Sequence, residues 1–163
     1  MSYFSVFQVS TKPLTKEQKD GFYNDVACSE DANLANHSDY LGDVRPRKGR
    51  LDAIKRLKTV FDGIADIDVR RGTMTILDGE SIRKAIRTER KELLTKHLAA
   101  LEGKDNIVFD SMRLRLDVQD FRRSPSMFCL DGASSETSMQ FVENLPYLAG
   151  QTLHLGTVIE AHF

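Results

Sequence analysis

Apolar residues recur along this chain with two periods, and the points where the period changes divide it into elements. In residues 3–9, YFSVFQV, one pleat face carries Tyr3, Phe7 and Val9 and the other carries Phe4 and Val6. That pattern predicts an interior strand buried on both sides. Thr15 then stands as an N-cap for a helix to about Cys28, with Phe22, Val26 and Leu14 on one face and Lys16, Lys19 and Asp20 turned away. Residues 29–47 hold turn formers without a sustained period and read as a long irregular loop.

From Lys48 the helical period returns. Leu51, Ile54, Leu57, Phe61 and Ile64 form an apolar stripe that ends near Gly63. Ile67 and Val69, then Met74 and Ile76, alternate with polar residues on either side of Arg71-Gly72, which predicts a hairpin. Residues 79–102 carry the clearest helix, with Asp78 as N-cap, Glu80 in the first turn and Gly103 past the end. Met112, Leu114, Leu116 and Val118 alternate with Arg113, Arg115 and Asp117, so a half-exposed strand is expected there. MFCL at 127–130 reads as a short strand, Asp131-Gly132 as a turn, and a helix capped by Ser134 or Ser135 is expected to stop near Pro146. Leu153, Leu155, Ile159, Ala161 and Phe163 occupy alternate positions of a last strand.

The order β-α-loop-α-β-β-α-β-β-α-β gives about six strands and four helices. Hairpins mixed with helical crossovers imply a single α+β domain over 1–163, with a mixed or mostly antiparallel sheet and helices on one face. A chain of 163 residues is long enough to bury roughly 70% of its unfolded surface without staples.

Composition narrows the chemistry. Hydrophobic residues make up 40% and charged residues 29%, ordinary for a globular domain. The 23 basic and 24 acidic side chains nearly cancel, which counts against a chain built to coat nucleic acid or an anionic membrane. Cys28 and Cys129 are far apart and lack a metal-site spacing, so they read as buried thiols of a reducing, cytoplasmic compartment. No signal peptide or membrane span is legible, and none of the common catalytic or cofactor motifs is present.

Charge is nevertheless polarised. Residues 1–43 hold three lysines against seven carboxylates, net −4, and residues 44–71 hold nine basic residues against four acidic ones, net +5. Arg45, Arg47, Lys48, Arg50, Lys55 and Arg56 surround the start of the second helix, a sensible place to grip phosphate or an acidic partner. No aromatic residue for base stacking lies between Val44 and Val60, and a solvated helix face explains the same pattern. Arg83, Arg87 and Arg90 form a second, weaker anion-binding stripe, with Arg90 near the apolar face and in need of a partner.

Other groups carry less. His154, Glu160 and His162 share a face of the last strand but span too great a length to meet on one ion. Asp62, Asp66 and Asp68 suit solubility as well as a cation, and Cys129 lies in an apolar strand where packing outweighs nucleophilicity. The sequence therefore leads to a non-enzymatic binding or regulatory protein that docks to another macromolecule. A protein partner is favoured, with inhibition as one form of action; nucleic-acid binding through 45–58 and an enzyme with an unfamiliar site are the alternatives.

Overall fold

The computed structural model describes residues 3–28, 40–43, 47–101, 107–124, 126–132 and 135–162. In chain order these form β1 (Tyr3–Ser10), α1 (Lys16–Cys28), β2 (Tyr40–Asp43), α2 (Arg47–Val60), β3 (Ala65–Asp68), β4 (Thr73–Ile76) and α3 (Gly79–Leu101). There follow α4 (Ile107–Gln119), β5 (Ser126–Leu130), β6 (Glu136–Thr137), α5 (Ser138–Asn144) and β7 (Thr152–His162), with 3-10 turns at Phe121–Arg123 and Leu145–Leu148. The sheet is mixed, in the order β3-β4-β7-β1-β5-β6, with β2 on the far half of β7. Among the described residues only the β1–β5 pairing is parallel, so the expected α+β class with a mostly antiparallel sheet is the observed one.

The local signals act as chemistry demands. Thr15 Oγ1 accepts from Gln18 N at 3.2 Å while Gln18 Oε1 accepts from Thr15 N at 2.9 Å, a reciprocal cap that starts α1. Asp78 Oδ2 accepts from Ser81 N at 2.8 Å and opens α3. For α5 the cap is Thr137, paired reciprocally with Gln140, rather than Ser134 or Ser135; Ser134 lies outside the described residues. The expected loop at 29–47 contains β2, and its residues 29–39 and 44–46 lie outside the described residues.

One element differs in kind. Residues 112–118 are helical, within α4, and not a strand. Alternating apolar positions are also two i,i+4 pairs: Leu114 and Val118 are half-buried, while Met112 and Leu116 face solvent. The run Met-Arg-Leu-Arg-Leu consists of strong helix formers and lacks the β-branched residues a strand favours, and that propensity decides the outcome.

Helices cover both faces of the sheet, not one. The main core lies beneath α2, α3 and α5, where Phe7, Phe128 and Phe141 stack at centroid distances of 5.4 and 4.2 Å and Phe61 meets Phe128 edge-on at 5.8 Å. On the opposite face Val6, Cys129 and Ile159 pack with Phe22 and Val26 of α1.

A β-bulge in β7 sets which residues face which layer. Phe7 pairs with Val158 and Val9 with Leu155, so Gly156 and Thr157 together oppose Gln8. Leu153, Leu155 and then Val158 point to the main core, and Ile159 points to the other side. The alternation expected to run unbroken from Leu153 to Phe163 thus changes phase, and His154 lies on the opposite face from Glu160 and His162. Gln8 fills the bulge by accepting from Thr157 N at 3.1 Å and donating to the Gln18 carbonyl at 2.9 Å. A Cβ on Gly156 would lie 2.2 Å from Gln8 Oε1 and 2.6 Å from Leu14 Cδ1.

Two expected outcomes follow from these contacts. Gly156→Ala should lower the unfolding free energy by about 1–3 kcal/mol in urea denaturation, the ordinary range for overpacking. Asp131 sits at a positive φ of 51° after β5 and accepts from Ser10 Oγ, Thr11 N and Thr11 Oγ1. Burial opposes its charge, but these hydrogen bonds outweigh it and hold the carboxyl below its usual range. A depressed folded pKa stabilises above the unfolded value and is lost as pH falls through the folded one. The stability gap between the wild type and Asp131→Asn should therefore be present at neutral pH and shrink below about pH 4, as followed by denaturation at successive pH values.

Candidate functional site

The sheet presents α3 and α4 as a helical pair on its main-core side. Ile82 and Ile86 of α3 are buried, and three polar pairs tie the helices to their surroundings. Glu89 Oε1 accepts from Arg122 N at 2.7 Å, His97 Nε2 lies 3.0 Å from Asp117 Oδ2, and Arg90 is joined to Glu143 of α5. Arg90 thus finds the carboxylate partner its position required, although its Nε is buried without a hydrogen-bond partner.

Away from these contacts α3 turns a different face to solvent. Arg83, Arg87, Lys91, Leu94 and Leu98 follow one another at spacings of four, four, three and four, hence along one line of the helix. All five are exposed, Leu94 at 48% and Leu98 at 62%. On α4, Met112 and Leu116 are exposed at 63% and 53%. Among the described residues six large hydrophobic side chains are exposed, and four of them belong to this pair of helices, which singles it out as the surface least explained by folding alone.

A groove of about 780 Å³ runs along another flank of α3, walled by Lys84, Thr88, Glu92, Lys96, Asp117 and Asp120. Burial raises the Asp120 carboxyl above its usual range, and the Asp117 carboxylate adds to the effect. Among the described lining residues Lys84, Lys96 and Arg122 face Glu89, Glu92, Asp117 and Asp120, so charges of both signs mix around the groove.

The basic segment is distributed differently from its appearance in the sequence. Arg45 and the side chain of Arg47 lie outside the described residues, and Lys48 is exposed. Lys55 pairs with Asp52 at 3.1 Å and Arg56 approaches Glu160 at 3.8 Å, both exposed pairs of small energetic weight. Arg50 is half-buried: Nε donates to the Gly156 carbonyl at 2.7 Å and Nη2 to the Leu155 carbonyl at 2.6 Å. Arg50, one of the cations offered for docking, is therefore bound into the sheet. Nothing in the local sequence distinguishes it from its neighbours, because its acceptors lie more than a hundred residues away.

The remaining groups do not assemble. Burial pushes the Cys129 thiol up to about 11, with the Glu136 carboxylate adding to it, which suppresses the thiolate a nucleophile needs. Asp68 Oδ1 accepts from the Arg70 and Arg71 amides, and this turn lowers its pKa. Among the described residues no three His, Cys, Asp or Glu side chains converge as metal ligands, and no helix is long and apolar enough to cross a membrane.

Comparison with protein-family models, with curated proteins and with solved structures found no match.

Removing Arg50 leaves two carbonyls without charged donors, so Arg50→Ala should cost about 2–3 kcal/mol. Lys55→Ala and Arg56→Ala should each change stability by less than about 0.5 kcal/mol. Equal effects of the three substitutions in chemical denaturation would remove Arg50 from the framework.

Proposed function

We propose that this is a non-enzymatic docking protein of a reducing, cytoplasmic compartment that regulates a protein partner, with inhibition as one form of that regulation. The observation that carries the reading is the solvent face of α3, where Arg83, Arg87 and Lys91 run directly into Leu94 and Leu98. Apolar area exposed next to a row of like charges suits an amphipathic segment whose apolar side chains cover the leucines and whose carboxylates reach back along the cations. Burying the roughly half of each leucine that is exposed contributes about 1–2 kcal/mol, which adds to the attraction of the cations that steer the segment into place.

The basic segment is secondary in this reading, since two of its cations already have carboxylate partners and Arg50 serves the sheet. The reading is tested by affinity purification from nuclease-treated lysate with three baits: the wild type, Leu94→Glu/Leu98→Glu, and Lys55→Ala/Arg56→Ala. The expected result is a protein held by the first and third baits and lost from the second, whose fold stays intact because both leucines are exposed. Identical protein sets on all three baits, or nucleic acid alone from untreated lysate, would overturn it.

A further inference from the structure

Among the described residues the two large exposed hydrophobic side chains that lie off the α3–α4 pair are Leu77, 41% exposed, and Tyr147, 79% exposed. Both flank the N-terminal end of α3. Leu77 stands two residues before Gly79, where that helix begins, and the 3-10 turn that carries Tyr147 packs against the helix. A Cβ on Gly79 would lie 3.1 Å from the Pro146 carbonyl oxygen, so helix and turn meet in close contact. Within the turn Leu145 is fully buried and Leu148 packs against the main core. Pro146 meets Gly79, and Tyr147 is the member turned to solvent.

Gly79 lies one turn before Arg83, at the N-terminal end of the stripe already traced along α3. That stripe therefore runs from the Tyr147 turn, through the exposed cations Arg83, Arg87 and Lys91, to the exposed leucines Leu94 and Leu98. Its order is apolar, cationic, apolar. From Gly79 to Leu98 the helix rises about 28 Å, a length that a partner helix of about 20 residues matches.

We propose, resting on the docking reading above, that Tyr147 is a second apolar anchor for the partner of α3, and that this partner is a helix with apolar residues at both ends and carboxylates between them. Charge complementarity selects the carboxylates, which face Arg83, Arg87 and Lys91. A tyrosine suits the role of anchor, because its ring offers a large contact area with few rotatable bonds to fix while its hydroxyl stays wet at the rim. Leu77 adds apolar area at the same end of the helix.

The test uses the whole protein, labelled with nitrogen-15, and two synthetic helical peptides of about 20 residues with the same composition. One carries leucines at both ends and glutamates between them, so that it fits in either direction; the other carries the leucines in the centre and the glutamates at the ends. Expected are amide shifts along α3 and at residues 145–148, with the first peptide bound at about 10–100 μM and the second at least about fivefold more weakly. Tyr147→Ala should weaken the first peptide about tenfold and Tyr147→Phe by less than about twofold, while Leu94→Glu/Leu98→Glu removes binding. Binding that needs Leu94 and Leu98 but ignores Tyr147→Ala, or equal affinity for the two peptides, would overturn the Tyr147 anchor and leave the docking reading standing. Absence of binding by either peptide, or binding indifferent to Leu94→Glu/Leu98→Glu, would overturn both. Self-association of the protein in sedimentation, abolished by Tyr147→Ala, would assign the anchor to a second copy and overturn the helical partner.

Discussion

The edge of β7 has to be satisfied for this sheet to exist. Its eleven residues pair with β1 along one side and with β4 and β2 in turn along the other. At the junction the backbone bulges, and the carbonyls of Leu155 and Gly156 would face a low-dielectric gap without a donor. Arg50 supplies both donors from one rigid fork, which a lysine has no geometry to do. That contact joins α2 to the sheet at the break where β4 gives way to β2 on this edge. A Cβ on Gly72 would lie 2.7 Å from Arg50 Nη2 and 3.2 Å from the Leu155 carbonyl, so this turn and the guanidinium are fitted to each other.

Short-range chemistry made much of the fold legible. The stripe of Ile54, Leu57, Phe61 and Ile64, the caps Thr15 and Asp78, and the two-faced apolar pattern of β1 each act within a few residues, and each stands where the sequence places it. Failures arise where a local pattern has two solutions or where its meaning is set at a distance. Residues 112–118 satisfy a strand and a helix equally in alternation, and only the helix-forming composition separates them. The phase change in β7 comes from Gln8, about 150 residues away, and Gly156 was the sole local sign of it.

The candidate sites show the same division. A row of charges on one helix is visible in the sequence, as with Arg83 and Arg87, and so is the need of Arg90 for a carboxylate. Which carboxylate meets it is a tertiary fact, supplied by Glu143. The approach of Lys19, Arg71 and His154 to one break in the sheet edge was not legible at all, because they are far apart in the chain and become neighbours only through sheet order. Within the basic segment, the partners of Lys55, Arg56 and Arg50, which are Asp52, Glu160 and the sheet backbone, are likewise tertiary facts that a row of charges does not announce.

The position of β7 in the chain has a consequence for how the protein is made. Among the described residues every other strand precedes it, and the longest pairings join Tyr3 to His162 and Phe4 to Ala161. During synthesis β1, β2 and β4 therefore wait with the edges meant for β7 unpaired, including the strongly apolar face of YFSVFQV. Contacts of such sequence separation close slowly. Until β7 emerges, the nascent chain therefore carries an unpaired apolar strand edge, the kind of surface that favours misassembly.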